Sequence, residues 1–167
     1  MRIPVVSIVG KKNSGKTTLI EKIVSELKKR GYRVGTIKHD VHGFEIDYEG
    51  KDTYRHYQAG SETVVIASSK KLALIKKLRN SLPLDKMVKN FFQDVDIVIT
   101  EGYKAQNKPK IECFRSDVHA KPLDINKSER IALVCDSRLE IDVPQFDFDN
   151  INGLVGFIEE QFLANYP

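Results

Sequence analysis

The residue types that hold the phosphates of a nucleotide occur together in the stretch GKKNSGKT, residues 10–17. The stretch matches the pattern G-x-x-x-x-G-K-[ST] without a gap. Its two glycines allow the backbone N–H groups to curl inward around phosphate oxygens. A helix that follows would direct its positive N-terminal end at the same anion. We therefore interpret the stretch as a phosphate-binding loop, in which Lys16 reaches the β- and γ-phosphates and the Thr17 hydroxyl binds Mg²⁺.

The neighbouring segments have the patterns that this motif requires. IPVVSIV, residues 3–9, is a nearly continuous β-branched run, typical of a strand buried on both faces. Gly31 is expected to end the helix after the loop, and YRVGTIK, residues 32–38, reads as the next strand. Apolar residues recur at helical spacing within that helix, at Leu19, Ile20, Ile23, Val24 and Leu27. A strand, a phosphate-binding loop and a helix in succession make a chance match to the motif improbable.

An acidic residue that could hold Mg²⁺ is expected at the end of another strand. DIVIT, residues 96–100, reads as a buried strand that Asp96 opens and that Glu101 follows. Ligands of open α/β sheets bind beyond the carboxyl ends of the strands. Glu101 is therefore the better candidate for the metal, and Asp96 is expected at the far end.

The polar loop HDVHGFEIDYEG, residues 39–50, follows the second strand and is open to three interpretations. It could be a mobile segment that closes over the phosphates and supplies a carboxylate linked to Mg²⁺. It could hold a transition metal through His39 and His42. It could also be a surface loop before a short helix that Asp52 caps.

The remaining pattern alternates strands with helices and predicts an α/β fold, similar to P-loop NTPases, with a mostly parallel sheet flanked by helices. We expect one nucleotide-binding domain over residues 1–167, with a β-hairpin around residues 62–76 as a candidate extension. Further predicted strands are TVVIAS, LALIKKL, KIECFR and RIALVCD, and further predicted helices are residues 82–93 and 151–163.

Composition argues against several other classes of protein. The chain has 27 Lys and Arg against 23 Asp and Glu, and the basic residues form short groups, so nucleic-acid binding is not expected. No apolar run approaches the ~18 residues that span a membrane, and no signal peptide is recognisable, so we predict a cytoplasmic protein. Cys113 and Cys135 lie singly in apolar stretches, which predicts free buried thiols.

The identity of the base is open from the residues alone. NKSE, residues 126–129, resembles the guanine-reading pattern N-K-x-D, but it precedes a strand and its acid is Glu. The segment SRLEIDVPQFDFDN, residues 137–150, follows that strand and is better placed to meet a base. It contains several acidic residues, and no spacing selects one of them.

Several segments of the chain together resemble the MobB family of molybdopterin-guanine dinucleotide biosynthesis adapter proteins. The resemblance is carried by GKKNSGKTTL, TIKHDVHGFEIDYEGKDTYRHYQAG, VVIAS, DIVITEGYK and PKIECFR, in this order and spacing. The combination of GKDTYRH with TEGYK is much more specific than the phosphate-binding loop. The resemblance extends over nearly the whole chain and is weakest after residue 116.

The resemblance implies a small GTP-binding protein that forms homodimers and hydrolyses GTP weakly. It implies a MobA-type transferase as partner, which joins GMP to molybdopterin, so molybdopterin or a related molybdenum cofactor intermediate is a further expected partner. Lys16 and Glu101 would be the catalytic residues, and Thr17 and Glu101 would bind Mg²⁺. The segment from Asp47 to Asp52 would be a nucleotide-responsive loop, and Asp47 and Asp52 are further candidate ligands of the metal. The residues expected to bind nucleotide are Gly10, Lys11, Lys12, Asn13, Ser14, Gly15, Lys16, Thr17 and Thr18.

Three alternative functions are kept open. A P-loop kinase acting on a small acceptor would usually have an arginine-rich lid, which is not recognisable after residue 102. A metallochaperone-type GTPase would usually carry paired cysteines and a well-placed N-K-x-D. A pure binding module would bind GTP without turnover above that of a Lys16→Ala variant. Slow hydrolysis is expected in the leading interpretation, because Arg55 is only a weak candidate for an arginine finger.

Overall fold

The computed structural model describes residues 3–164 and divides into two compact units. The first unit contains the chain up to His39 and from Val88 onward, and the second contains Asp40–Met87. The prediction of a single nucleotide-binding domain over residues 1–167 stays a prediction. In chain order the elements are β1 (Val5–Val9), α1 (Lys16–Lys29), β2 (Val34–Lys38), α2 (Asp52–Gln58), β3 (Thr63–Ala67), β4 (Leu72–Lys76), α3 (Leu84–Phe91), β5 (Ile97–Glu101), β6 (Lys110–Phe114), β7 (Arg130–Cys135), β8 (Gln145–Phe146) and α4 (Ile151–Phe162).

The first unit contains a six-stranded parallel sheet in the order β2-β5-β1-β6-β7-β8. β1 lies between β5 and β6, so the loop that follows it emerges near the middle of the sheet. The register pairs Ile8 of β1 and Lys38 of β2 with Glu101 of β5. The predicted fold class, a mostly parallel sheet with flanking helices, is confirmed. β8 was not predicted, because two residues are too few to show a strand period.

Burial of the central strands on both faces explains their apolar sequences. All five residues of β1 are buried, and so are the first four of β5. Helix α1 contributes Leu19, Ile23 and Leu27 to the same apolar cluster, and α4 contributes Leu154, Val155 and Ile158. With apolar residues filling the interior, the polar residues that could do chemistry concentrate at the strand ends and in the loops.

Two ion pairs join β6 to the amino end of β7. Lys110 has a fully buried side chain and pairs with Glu129. Glu112, which is also buried, pairs with Arg130 at 2.9 Å. Glu129 is the acid of NKSE, and its place before β7 is the end of the strand opposite to the one that would face a base. The structure thus agrees with setting this motif aside.

The sequence predicted the end of α1 correctly and the start of α2 incorrectly. Gly31 adopts a φ of 94° directly after α1, in the left-handed region that glycine tolerates, as predicted for a helix stop. The prediction that Asp52 caps α2 is wrong. Lys51 is the N-cap, with extended backbone angles, and Asp52 is already the first helical residue. There its negative charge still lies favourably in the first turn of the helix.

The second unit contains the predicted hairpin. β3 and β4 pair antiparallel from Thr63 opposite Lys76 to Ala67 opposite Leu72. The Ser68 N–H donates to the Lys71 carbonyl at 2.8 Å and closes the turn. One face of the hairpin leaves apolar side chains in solvent, with exposed fractions of 49% for Val65, 66% for Leu72 and 44% for Leu74.

Two further expectations concern the whole described chain. Cys113 and Cys135 are free and buried, which confirms the sequence interpretation. Within residues 3–164 none of the helices combines the length and apolar character needed to cross a bilayer.

Replacing Gly35 by alanine should destabilise the first unit. A Cβ atom at Gly35 in β2 would lie 2.3 Å from the Phe92 ring and 3.4 Å from the Val95 side chain. We expect the free energy of unfolding in urea to fall by about 1–3 kcal/mol, the usual cost of overpacking. Gly156→Ala in α4 is the matched control, because a Cβ atom there meets open space. That variant should be neutral or up to about 1 kcal/mol more stable, and equal effects at both positions would contradict the steric explanation.

Candidate nucleotide-binding site

The loop between β1 and α1 depends on glycine at two positions. Gly15 has a φ of 89°, which a residue with a side chain rarely adopts. Gly10 lies against β6, and a Cβ atom there would approach the Cys113 carbonyl oxygen to 2.5 Å. The loop backbone is thus pressed onto the neighbouring strand before it turns into α1.

The start of α1 offers an anion an uncapped helix end. Gly15 occupies the N-cap position and has no side chain that could cap the helix. The first turn of α1 contains no acidic residue. The first N–H groups of a helix have no partner within the helix, and the helix dipole places positive charge there. A phosphate group fits this chemistry.

Lys16 holds its ammonium group over the loop. Its Nζ donates to the Lys11 carbonyl at 2.6 Å, and the side chain is half-buried. Burial lowers the pKa of Lys16 below 10.5, while the nearby Glu101 carboxylate acts in the opposite direction. A partly desolvated ammonium group gains more from an incoming phosphate oxygen than a fully hydrated one, because less water has to be displaced.

Thr17 and Glu101 meet at the carboxyl edge of the sheet. The Thr17 hydroxyl donates to the Glu101 carboxylate, with distances of 3.1 and 3.3 Å to its two oxygens. Strand register brings the two together, since Glu101 ends β5 beside Ile8 of β1. These are hard oxygen donors, and Mg²⁺ is commonly held by one or two protein oxygens together with phosphate and water.

A transition-metal site has no support within residues 3–164. In this part of the chain no group of three or more His, Cys, Asp or Glu side chains could hold a metal ion. The side chain of His39 instead lies against Tyr103, with 4.6 Å between the ring centres. The His39 N–H donates to the Glu101 carbonyl at 3.0 Å, so this residue helps to fix the backbone beside the acid.

Asp96, the other acid of this strand, lies just before β5 and is held by Arg33. The Arg33 guanidinium donates to the Asp96 carboxylate at 2.7 Å, and the Arg33 backbone N–H does so at 2.7 Å. Hydrogen bonds from the Arg33 side chain lower the pKa of Asp96. Of the two acids that the sequence offered, only Glu101 therefore lies beside the phosphate-binding loop.

A segment after β6 covers one side of the loop, and sequence reasoning missed it. The Lys11 ammonium donates to the Lys121 carbonyl at 2.6 Å, and His119 Nε2 lies 2.6 Å from the Lys12 carbonyl. Arg115 lies beside Gly15, its Nε 3.4 Å from where a Cβ atom of Gly15 would be. The signal in the sequence was that Arg115 ends the predicted buried strand KIECFR, but only the sheet order shows that this strand neighbours β1.

The two further candidates for the metal belong to the second unit. Asp47 accepts a hydrogen bond from the Thr53 hydroxyl and another, at 3.1 Å, from the Tyr48 N–H. Asp52 is exposed and forms an ion pair with Arg55 at 3.8 Å. A role for Asp47 or Asp52 in metal binding stays a prediction.

Comparison with known proteins gives one consistent result. The family model described as MobB, molybdopterin guanine dinucleotide synthesis protein B, matches residues 5–136. A molybdopterin-guanine dinucleotide biosynthesis adapter protein of Haemophilus influenzae is 36% identical over 159 residues, which cover 95% of this chain and 89% of the relative. A protein of the same description from Escherichia coli is 32% identical over 162 residues, which cover 95% and 93%.

Solved structures show the same similarity. The crystal structure of Bacillus subtilis MobB aligns with a TM-score of 0.77 at 27% identity, covering 98% of this chain and 100% of that one. A crystal structure of molybdopterin-guanine biosynthesis protein B aligns with a TM-score of 0.73 at 30% identity, covering 94% and 99%.

The thiol beneath the loop should be unreactive in the folded protein. Cys113 Sγ donates to the Ser14 carbonyl at 2.7 Å, and burial raises the pKa of this thiol to about 11. At pH 8 roughly one such thiol in a thousand is ionised, and the thiolate is the reactive form. We expect iodoacetamide to leave Cys113 unmodified at pH 8 in the native protein and to modify it after denaturation. Cys135→Ser removes the second thiol, and rapid modification of this folded variant would contradict the expectation.

Proposed function

Because the chain belongs to the MobB family, the adapter proteins of molybdopterin-guanine dinucleotide biosynthesis, we propose that it binds GTP with Mg²⁺ and hydrolyses it slowly. The family assignment is supported by the model match over residues 5–136 and by the relative that is 36% identical. Nucleotide binding, slow hydrolysis and association with a partner enzyme are proposed for this chain.

The observation that carries the proposal is the arrangement of three side chains around one helix start. Lys16 lies over the loop, with its Nζ on the Lys11 carbonyl at 2.6 Å. Thr17 and Glu101 lie 3.1 Å apart at the carboxyl edge of the sheet. A cation for the terminal phosphates, a helix end for their charge and two oxygen donors for a metal are what a nucleoside triphosphate requires.

Each group has a defined task in hydrolysis. The N–H groups of residues 10–17 would hold the phosphates, and the Lys16 ammonium would neutralise charge on the oxygens that develop it during in-line attack by water. Thr17 and Glu101 would hold Mg²⁺, which when bound neutralises charge on the β- and γ-phosphates. The Thr17–Glu101 hydrogen bond holds both candidate metal ligands in position before the nucleotide arrives.

We expect slow turnover because both arginines considered as an arginine finger are engaged by other side chains. An arginine finger accelerates hydrolysis by about 10³–10⁵-fold. Arg55, the candidate from the sequence, belongs to α2 in the second unit and pairs with Asp52. Arg115 beside Gly15 stacks on Phe148, with 4.3 Å between its guanidinium carbon and the ring centre.

We further propose a MobA-type transferase as the partner and molybdopterin, or an intermediate of the molybdenum cofactor, as its shared substrate. The description of the relatives as adapter proteins supports a partner enzyme. The nucleotide proposed here carries the same base that the transferase joins to the pterin.

A homodimer is the proposed assembly, with the hairpin as its contact. Two strands alone are marginally stable in water, and both edges of this hairpin offer unpaired backbone groups. The exposed face with Val65, Leu72 and Leu74 would be covered by a second copy. Burial of such side chains stabilises by about 25 cal/mol per Å² of apolar surface.

Calorimetry of nucleotide binding is the decisive test of the GTP proposal. We expect GTP to bind more tightly than ATP, and Mg²⁺ to strengthen GTP binding. Glu101→Ala should weaken the effect of Mg²⁺ by about 10–100-fold, the range found when groups around a metal are removed. Lys16→Ala should weaken GTP binding with or without the metal and should abolish hydrolysis.

Glu21→Ala is the matched control, because it removes an exposed carboxylate from α1 without touching the loop. It should behave as the wild-type protein does. Equal affinity for GTP and ATP, or a preference for ATP, would favour a kinase or another ATP-dependent activity. Unchanged Mg²⁺ dependence in Glu101→Ala would remove Glu101 from the metal site.

The homodimer is tested by the mass in solution. At micromolar concentration, light scattering should give twice the chain mass of 19.0 kDa. Leu74→Glu places a charge on the apolar face of the hairpin and should yield a monomer. Val118→Glu, at an exposed apolar position of the first unit, should remain dimeric. A monomeric mass for the wild-type protein would rule out the proposed assembly under these conditions.

A further inference from the structure

A pocket of about 270 Å³ opens beside the phosphate-binding loop in the first unit. Its lining includes Gly15 and Thr18 at the start of α1, together with Arg115, Asp136 and Phe148. The volume lies just below the range of about 300–1,000 Å³ that is typical of ligand pockets. It suits one ring system better than an entire nucleotide, whose phosphates would lie on the adjoining loop.

One wall of the pocket is built from flat, stacking groups. The guanidinium carbon of Arg115 lies 4.3 Å from the centre of the Phe148 ring, and both side chains are half-buried. Nucleobases that proteins bind outside a helix usually stack on aromatic rings or on guanidinium planes. The Lys22 ammonium fixes the loop that carries Phe148, since it donates to the Phe148 carbonyl at 3.1 Å.

Three carboxylates line the pocket, and their surroundings differ. Asp149 is paired with Lys22 at 3.3 Å. Asp147 accepts the Asp149 N–H at 2.9 Å and thereby shapes its own turn. Asp136 directly follows β7 and is held in one orientation, with each oxygen 3.0 Å from the Ser116 nitrogen.

Asp136 is also ionised throughout the physiological pH range. Desolvation opposes its charge, but hydrogen bonds from the Ser116 N–H and neighbouring amides outweigh this effect and lower the pKa of Asp136 below 3.8. Within residues 3–164 no cation forms an ion pair with it. It therefore presents a carboxylate that only accepts hydrogen bonds and is neutralised by no side chain.

We propose that this pocket holds the nucleobase and that Asp136 selects guanine by accepting hydrogen bonds from the ring N1–H and the exocyclic 2-amino group. The inference rests on the proposed binding of GTP and specifies how its base is recognised. Arg115 and Phe148 supply the stacking surface. Adenine has an acceptor at N1 and no 2-amino group, so it would place a lone pair against the carboxylate. A site built for donors rejects a ligand that lacks them, because the protein group is left unpaired.

The strand order places Asp136 on the side of the sheet where the nucleotide is proposed to bind. β7 lies two strands from β1 in a parallel sheet, so its carboxyl end is on the same edge as the phosphate-binding loop. Glu129 of the NKSE motif precedes the same strand and is committed to Lys110. Asp136, which follows β7, is instead on the edge of the sheet where the phosphate-binding loop lies.

An exchange of base preference tests the inference. Xanthine has an oxygen at C2 where guanine has the amino group. In Asp136→Asn the side-chain amide can accept from N1–H and donate to that oxygen, whereas it meets the guanine amino group donor to donor. We expect the ratio of GTP affinity to xanthosine triphosphate affinity, measured by calorimetry with Mg²⁺, to fall by at least tenfold. Affinity for inorganic tripolyphosphate should not change, because the phosphate-binding loop is intact.

Asp142→Asn is the matched control, since it makes the same chemical change at an exposed residue after β7 that does not line the pocket, and it should leave the base preference unaltered. Thermal unfolding of both variants verifies that they are folded. The assignment of Asp136 is overturned if Asp136→Asn keeps the wild-type base preference, or if Asp142→Asn changes that preference to the same extent.

The outcome also separates this inference from the proposal on which it rests. If the wild-type protein binds GTP and ATP equally well, the phosphate-binding loop functions and the guanine assignment fails. If the wild-type protein binds neither nucleotide, both proposals fail.

Discussion

Parallel pairing of β1 with its two neighbours determines where the phosphate-binding loop and Glu101 lie. The register between β1 and β5 places Glu101 opposite Ile8, one residue before the end of β1. On the other side, contact with the Cys113 carbonyl of β6 leaves room only for glycine at position 10. The loop is thus held between two strands before α1 begins. A shift of register by one residue would turn the Glu101 side chain to the other face of the sheet and separate it from Thr17.

The two ends of the sheet use charge in different ways. At the amino ends, Asp96 is paired with Arg33, and Lys110 with Glu129, so charge near the core is compensated within the protein. At the carboxyl ends, Lys16, Glu101 and Asp136 are held by hydrogen bonds to backbone or hydroxyl groups. These contacts fix orientation without neutralising charge. The carboxyl edge therefore retains electrostatic potential for a ligand, while the amino edge contributes to stability.

The family assignment indicates the biosynthetic process, and the structure indicates which residues could bind a ligand. The relatives connect the chain to molybdopterin-guanine dinucleotide biosynthesis. The geometry supports a specific division of the first unit into a phosphate-binding loop and an adjoining pocket for a base. The second unit contributes a hairpin with an apolar exposed face, which is a surface suited to association rather than to catalysis. Binding in one unit and assembly through the other would suit an adapter protein.

Local spacing was sufficient to predict the glycine-rich loop between a buried strand and a helix, the other buried strands, the hairpin and the position of Glu101 at a strand end. Each depends on residues close together in the chain, where glycine positions and apolar periodicity are informative. Phosphate binding by the loop stays a prediction. The N-cap of α2 was assigned one residue too late, because Asp is a favoured N-cap residue type, whereas the extended backbone of Lys51, which makes no side-chain cap, is visible only in the structure. The two residues of β8 show no period.

The pocket could not be predicted in the same way. Gly15, Arg115, Asp136 and Phe148 lie far apart in the sequence, and nothing in the local pattern distinguishes Asp136 from the other acids after β7. Only the strand order and the packing of α1 bring these residues together. The sequence by itself therefore determined most of the elements and the glycine-rich loop after the first strand. The tertiary structure decided which side chains line the pocket beside that loop, because those residues come together only when the sheet and α1 are assembled.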